Sequence, residues 1–244
     1  MTTEQLRHRM PPILKALKER SLRGRTPVEG LRRTECAYHG WDTVHADAAS
    51  WEPFAPGDAF GGLEAHHCFK GTVTLPEASA GKRVVCLVST GASDIWNNNN
   101  PQFLAYVDGR LVCGLDVNHN EFDLAACAVP GESHELALYV YCNTPARDVF
   151  LRVETAERDD DVTGLYYDLR APYEVCALLA DDDTRAIGIM KHLNRALNLL
   201  DLRDLDSGAF AQSVRDAREY LRTEFYDGFC GRTDATEACV GHTH

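Results

Sequence analysis

The chain has 244 residues, 44% of them hydrophobic and 25% charged, which suits one large globular domain or a domain with an appendage. Its 25 basic residues against 37 acidic ones give a net charge of −12, which argues against nonspecific binding to nucleic acid or to an anionic membrane. No run approaches the roughly 20 apolar residues of a membrane span, and Met1–Gln5 lacks the basic-then-apolar order of a secretion signal, so a cytoplasmic location is expected.

Leu6, Met10, Ile13, Leu14 and Leu17 recur at helical spacing, with Lys15, Lys18, Glu19 and Arg20 on the other face. Pro11-Pro12 predict a break in that helix, with a restart that has proline in its first turn. Its expected role is docking on a neighbouring domain or subunit. Residues 20–33 are basic and punctuated by Gly and Pro, the composition of an exposed linker. Residues 1–33 therefore read as an N-terminal helix and linker.

From about residue 34 the pattern changes to short runs rich in Val, Leu, Tyr and Phe, separated by Gly, Pro, Asn and Asp. These are His66–Leu75, Arg83–Ser89, Phe103–Val107, Arg110–Cys113, Glu121–Ala125, His134–Cys142 and Val149–Glu154. Strands this short and this regularly spaced predict an antiparallel β-sandwich over residues 34–170. Asp108-Gly109 between apolar runs predicts a tight hairpin turn. After Asp159-Asp160-Asp161, residues Val162–Arg170 read as one more extended run.

Residues 171–232 read as a helical connector of two or three helices. Pro172 can open the first, which carries Val175, Leu178 and Leu179. The triplet Asp181-Asp182-Asp183 can cap a second with Ile187, Met190, Leu193, Leu197 and Leu200 at helical spacing, because a carboxylate there accepts orphan N–H bonds. Ser207 can cap a third with Phe210, Val214, Ala217 and Leu221 on one face. Residues 233–244 end in Ala238-Cys239-Val240-Gly241-His242-Thr243-His244. That is the end of a buried strand, a glycine, and two histidines on one side of any extended continuation.

The nine cysteines are odd in number and contain no Cys-x-x-Cys pair; most sit inside apolar runs and read as small buried hydrophobes in a reducing compartment. No Gly-rich phosphate loop, nucleophile elbow or Cys/His protease pair occurs.

Ala238–His244 resembles the opening of the catalytic domain of glycoside hydrolase family 38, the zinc-dependent α-mannosidases, where a Gly-His-x-His-x-Asp run ends the first strand of the catalytic domain. Residues Asn99–Gly109, Gly114–Glu121 and Tyr167–Phe229 are similar to the region preceding that domain in the cytosolic and bacterial branch of the family. The likeness runs from about Trp51 onward. It implies that residues 233–244 are the first strand of a catalytic α/β barrel and that His244 is a ligand of Zn2+. The matching Asp, the nucleophile, the general acid and the other ligands would lie beyond residue 244. The complete enzyme would then hydrolyse α-mannosides with retention, through a covalent glycosyl intermediate. Its partners would be α-mannoside glycans, its own catalytic domain and further copies of itself, and the 244 residues alone would be inactive. The strand order also resembles the jelly-roll, galactose-binding-like sandwiches that precede many glycosidase domains.

Inside the sandwich, Asp116, Asn118, His119 and Glu121 place sugar-type hydrogen-bonding groups on one loop. A turn held by Asx hydrogen bonds accounts for the same residues. Trp96, in the Asp94–Pro101 loop, offers a ring for stacking on a sugar face. His66 and His67 are adjacent on a strand and must point to opposite faces, so they make a poor metal pair. A freestanding carbohydrate-binding module and a structural or oligomerisation domain are the alternative functions.

Overall fold

The computed structural model describes residues 3–55, 57–90, 101–180 and 182–231. Trp96, His242, His244 and the strand expected over 233–244 lie outside the described residues. The fold is mainly antiparallel β with an N-terminal helix and a C-terminal helical segment. The chain divides into two compact units, Arg23–Arg158 and the pair of segments Met1–Leu22 with Asp159–His244. Among the described residues no helix is long and apolar enough to cross a membrane.

The strand-rich unit is a two-sheet sandwich. One sheet orders β1 (Leu22–Pro27), β10 (Arg152–Arg158), β5 (Arg83–Ser89) and β8 (Glu121–Ala125). The other orders β3 (Glu52–Pro53), β2 (Arg32–Cys36), β4 (Ala59–Thr74), β9 (Ser133–Phe150), β6 (Gln102–Val107) and β7 (Arg110–Leu115). Residues 20–33, expected as linker, therefore contain β1 and the start of β2. Gly24 and Pro27 lie within β1, an edge strand of the smaller sheet, where Pro and basic side chains are tolerated because that edge has no further strand to pair with among the described residues.

Alternation decides which side chains lie between the sheets. Phe69, Leu136, Leu138 and Val140 from the larger sheet meet Val84, Cys86, Val88 and Val153 from the smaller one. Burying one such side chain contributes about 1.5–3 kcal/mol, against about 0–1 kcal/mol for an exposed ion pair. The apolar layer, and not the charged pairs such as Arg83–Asp123 at 2.6 Å on the smaller sheet, holds the sandwich together.

The β6–β7 hairpin turns as expected at Asp108-Gly109, with φ of 50° and 74°. Both angles lie in the left-handed region that the favoured two-residue hairpin turn requires. Asp108 carries the strain because its carboxylate is engaged: Oδ1 accepts from Glu135 N at 2.9 Å and Oδ2 sits 2.8 Å from His134 Nδ1.

The helical unit departs from expectation in two places. α1 runs unbroken from Thr3 to Arg20 through Pro11-Pro12. Pro11 cannot donate to the Arg7 carbonyl one turn back, and the Tyr173 hydroxyl donates to that oxygen instead, at 3.4 Å. Leu6, Met10 and Leu17 are almost fully buried among the C-terminal helices, and this burial outweighs the proline penalty. Second, Val162–Arg170 is not extended: α2 spans Asp160–Cys176 and contains Pro172 in its interior. Val162, Leu165, Tyr166 and Leu169 are buried at i, i+3, i+4 and i+7, and the Asp159 side chain caps the helix by accepting from Val162 N at 3.1 Å. The sandwich thus ends at Arg158 and not near residue 170.

α3 (Thr184–Leu199) and α4 (Gly208–Tyr220) are capped by Asp183 and Ser207 as their sequences predict. A wider π-type helix, Leu221–Phe229, continues α4. At Gly164 of α2 a Cβ would come within 2.5 Å of the Arg218 guanidinium. Arg218 Nη1 and Nε there reach Asp161 and Asp168 at 2.8 and 3.4 Å, so the close approach of α2 and α4 depends on that glycine.

Candidate functional site

Residues that alternate away from the core form the outer face of the six-stranded sheet. On β4 these are His66, Cys68 and Lys70, on β9 Ala137, Tyr139 and Tyr141, and on β6 Gln102, Leu104 and Tyr106. Two short 3-10 helices, Gly40–His45 and Ala48–Ser50, cover part of this face. Under them Val44, Trp51, Cys68, Tyr106, Ala137 and Tyr139 make a small apolar cluster. Beyond this cluster Gln102 is exposed and Leu104 and Tyr141 are partly exposed.

Aromatic rings line this face, with His66 and Tyr139 buried and Tyr141 partly exposed. His66 stacks on Tyr141 and Tyr139 with ring centroids 5.1 and 5.7 Å apart, and the Tyr139 hydroxyl lies 2.7 Å from His66 Nδ1. Tyr38 packs edge-on against His66 at 5.5 Å, and Trp41 against Tyr139 at 6.4 Å. Tyr38 is 71% exposed and Trp41 41%, values that leave both rings available to a ligand. Burial, with a smaller contribution from His39, holds the His66 imidazole below its ordinary value although Glu64 opposes this. A neutral ring can accept the tyrosine proton.

The loop after β7 flanks this surface. Asp116, His119, Gln102, Leu104, Tyr139 and Tyr141 border a hollow of about 360 Å³. Asp116 Oδ1 accepts from the N–H groups of Asn118 and His119, both at 2.7 Å, and Asp116 N donates to His119 O at 3.0 Å. This is the Asx turn among the sequence alternatives. Burial raises the Asp116 carboxyl, but the two N–H bonds and His119 together hold it below the usual carboxylate range. His119 is well exposed.

Glu121 does not join this group. It belongs to β8 of the other sheet, and its Oε1 accepts from Arg158 Nη1 at 2.8 Å. Of the sequence-derived site residues, Asp116, Asn118 and His119 thus share a loop, Glu121 serves the opposite sheet, and Trp96 and His244 lie outside the described residues. Tyr139, Tyr141, His66 and Gln102 were missed. The alternation of tyrosines along β9 was the available signal.

Aromatic rings beside a carboxylate, an imidazole and a primary amide suit recognition of a ligand that has one apolar face and several hydroxyls. His66 and His67 point to opposite faces as adjacent strand residues must; His67 packs on Phe60 and Phe69 inside the sandwich. Among the described residues no group of three His, Cys, Asp or Glu side chains is placed to hold a metal ion.

No protein family profile and no curated protein matches the chain. Among solved structures it is similar to a β-glucuronidase of Ruminococcus gnavus, at 8% identity and a TM-score of 0.41, over 55% of this chain and 29% of that one. A Faecalibacterium prausnitzii β-glucuronidase gives 13% identity and 0.38, over 56% and 32%. A Bacteroides uniformis β-glucuronidase gives 11% and 0.39, over 55% and 18%. The chain spans less than a third of each of these proteins. At these identities and TM-scores the likeness assigns neither substrate nor activity to it.

Proposed function

We propose that this chain is the N-terminal, non-catalytic part of a zinc-dependent retaining α-mannosidase resembling glycoside hydrolase family 38. The observation that carries the reading is the Gly241-His242-Thr243-His244 run, placed after a sandwich and a helical segment in the order that the resemblance implies. A catalytic zinc needs three protein ligands, and of this chain only His244 is assigned to it, so no step of the hydrolysis is assigned to these residues. Zn2+ in the complete enzyme would bind and orient substrate hydroxyls. The test is the reading frame past codon 244. One further residue, then Asp, then several hundred residues of α/β pattern support the proposal, and a stop codon overturns it.

A second reading, a carbohydrate-binding module, is favoured by the hollow in which the partly exposed Tyr141 lies beside Asp116 and His119. Binding of mannose or an α-mannoside by the 244-residue chain, weakened at least tenfold by Tyr141→Ala or His119→Ala, supports it. Undiminished binding by both variants removes this face as the site. The two readings are compatible, because an accessory domain can hold the glycan that its catalytic partner cleaves.

A further inference from the structure

Cys36, the last residue of β2, and Cys68, in the middle of β4, bring their sulfurs to 3.6 Å on the outer face of the six-stranded sheet. In the register Cys36 pairs with His66 and Thr34 with Cys68, so the two thiols are diagonal cross-strand neighbours. Cys68 is fully buried, whereas Cys36 is partly exposed. A disulfide needs the sulfurs at about 2.05 Å, a closure of about 1.5 Å. That movement falls on a strand end, where the chain leaves β2 for the turn that carries Tyr38 and leads into the 3-10 helix of Trp41.

We propose that Cys36 and Cys68 form a reversible redox site, closing to a disulfide when hydrogen peroxide or another hydroperoxide reaches the exposed thiol. The proposal is independent of the mannosidase reading. The two sulfurs share a hydrogen bond, and this bond holds the Cys36 thiol below its ordinary value against the opposing effect of burial. The same bond, together with burial, pushes Cys68 up. Cys36, the partly exposed one of the two at the end of β2, is the thiol that a peroxide reaches and that attacks as the thiolate, and the buried Cys68 is the resolving thiol.

In the first step Cys36 Sγ bonds to one peroxide oxygen, the O–O bond breaks, and the departing hydroxide takes a proton to become water. Cys36 is now a sulfenic acid. In the second step Cys68 Sγ attacks that sulfur, the S–O bond breaks, and the hydroxide leaves as water with the Cys68 proton. Two thiols and one hydrogen peroxide give one disulfide and two waters. The new bond would tie the turn bearing Tyr38 to the central strand β4.

The test treats the folded chain with hydrogen peroxide, blocks remaining thiols with N-ethylmaleimide, and maps non-reduced peptides by mass spectrometry. The expected result is a Cys36–Cys68 linked peptide that dithiothreitol removes. Cys68→Ser should replace the link with a dimedone-reactive sulfenic acid on Cys36, and this readout is usable even where closure is blocked. Both cysteines recovered as maleimide adducts after peroxide would overturn the proposal, as would a Cys36 sulfinic acid without linkage to Cys68.

Discussion

Asp108 holds a left-handed backbone angle at the tip of the β6–β7 hairpin and anchors it to β9 through Glu135 N and His134. Replacing it with Ala keeps the strain and removes both anchors. Asp108→Ala is therefore expected to cost about 1–3 kcal/mol, read as a lower denaturation midpoint; an unchanged midpoint would mean that the turn is set by Gly109 alone. His66 and His67 make a second prediction. Burial lowers both imidazoles from the ordinary 6.5, so the unfolded chain takes up protons first as the pH falls. Their contribution to stability is complete above about pH 6.5 and declines below it. The denaturation midpoint should drop between pH 7.5 and 5.5, and His66→Gln should flatten that slope. A midpoint that rises on acidification would contradict the assignment.

The elements were legible where local chemistry is strong. The Asp-Gly turn, the Asp183 and Ser207 caps and the short apolar runs of β4, β5, β6, β8 and β9 each carry a short-range signal that the structure uses directly. α2 was not legible, because Val162–Arg170 carries Val162, Thr163, Tyr166 and Tyr167, which favour strands, and Gly164, which weakens a helix. Only the packing against Arg218 shows that the glycine lets two helices meet. The proline pair in α1 misled for a related reason, since the compensating hydroxyl comes from Tyr173, far away in sequence. α1 also spends its apolar face on this chain's own helices. Leu17→Ala, at a site 1% exposed, should therefore destabilise the helical unit by about 2–5 kcal/mol, seen as an earlier loss of helical circular dichroism. Loss of self-association without loss of helix stability would instead place α1 at a subunit contact.

On the scale of the whole molecule, the sequence marked the Asp116–His119 loop but not its aromatic neighbours. Alternation tells which residues share a face, and not which face the chain leaves uncovered; here the 3-10 helices over residues 40–50 decide that. The hollow beside Tyr141 is proposed to hold a sugar, and the His-Thr-His end is proposed to begin a zinc site. These residues are proposed to precede a mannosidase active site. That placement is tested most directly by expressing the gene to its natural stop codon and following aryl α-mannoside hydrolysis with and without zinc. The expected result is zinc-dependent release of the aryl group that is lost in His244→Ala and absent from the 244-residue chain alone. No hydrolysis by the full gene product, or equal hydrolysis by the His244→Ala variant, would contradict it.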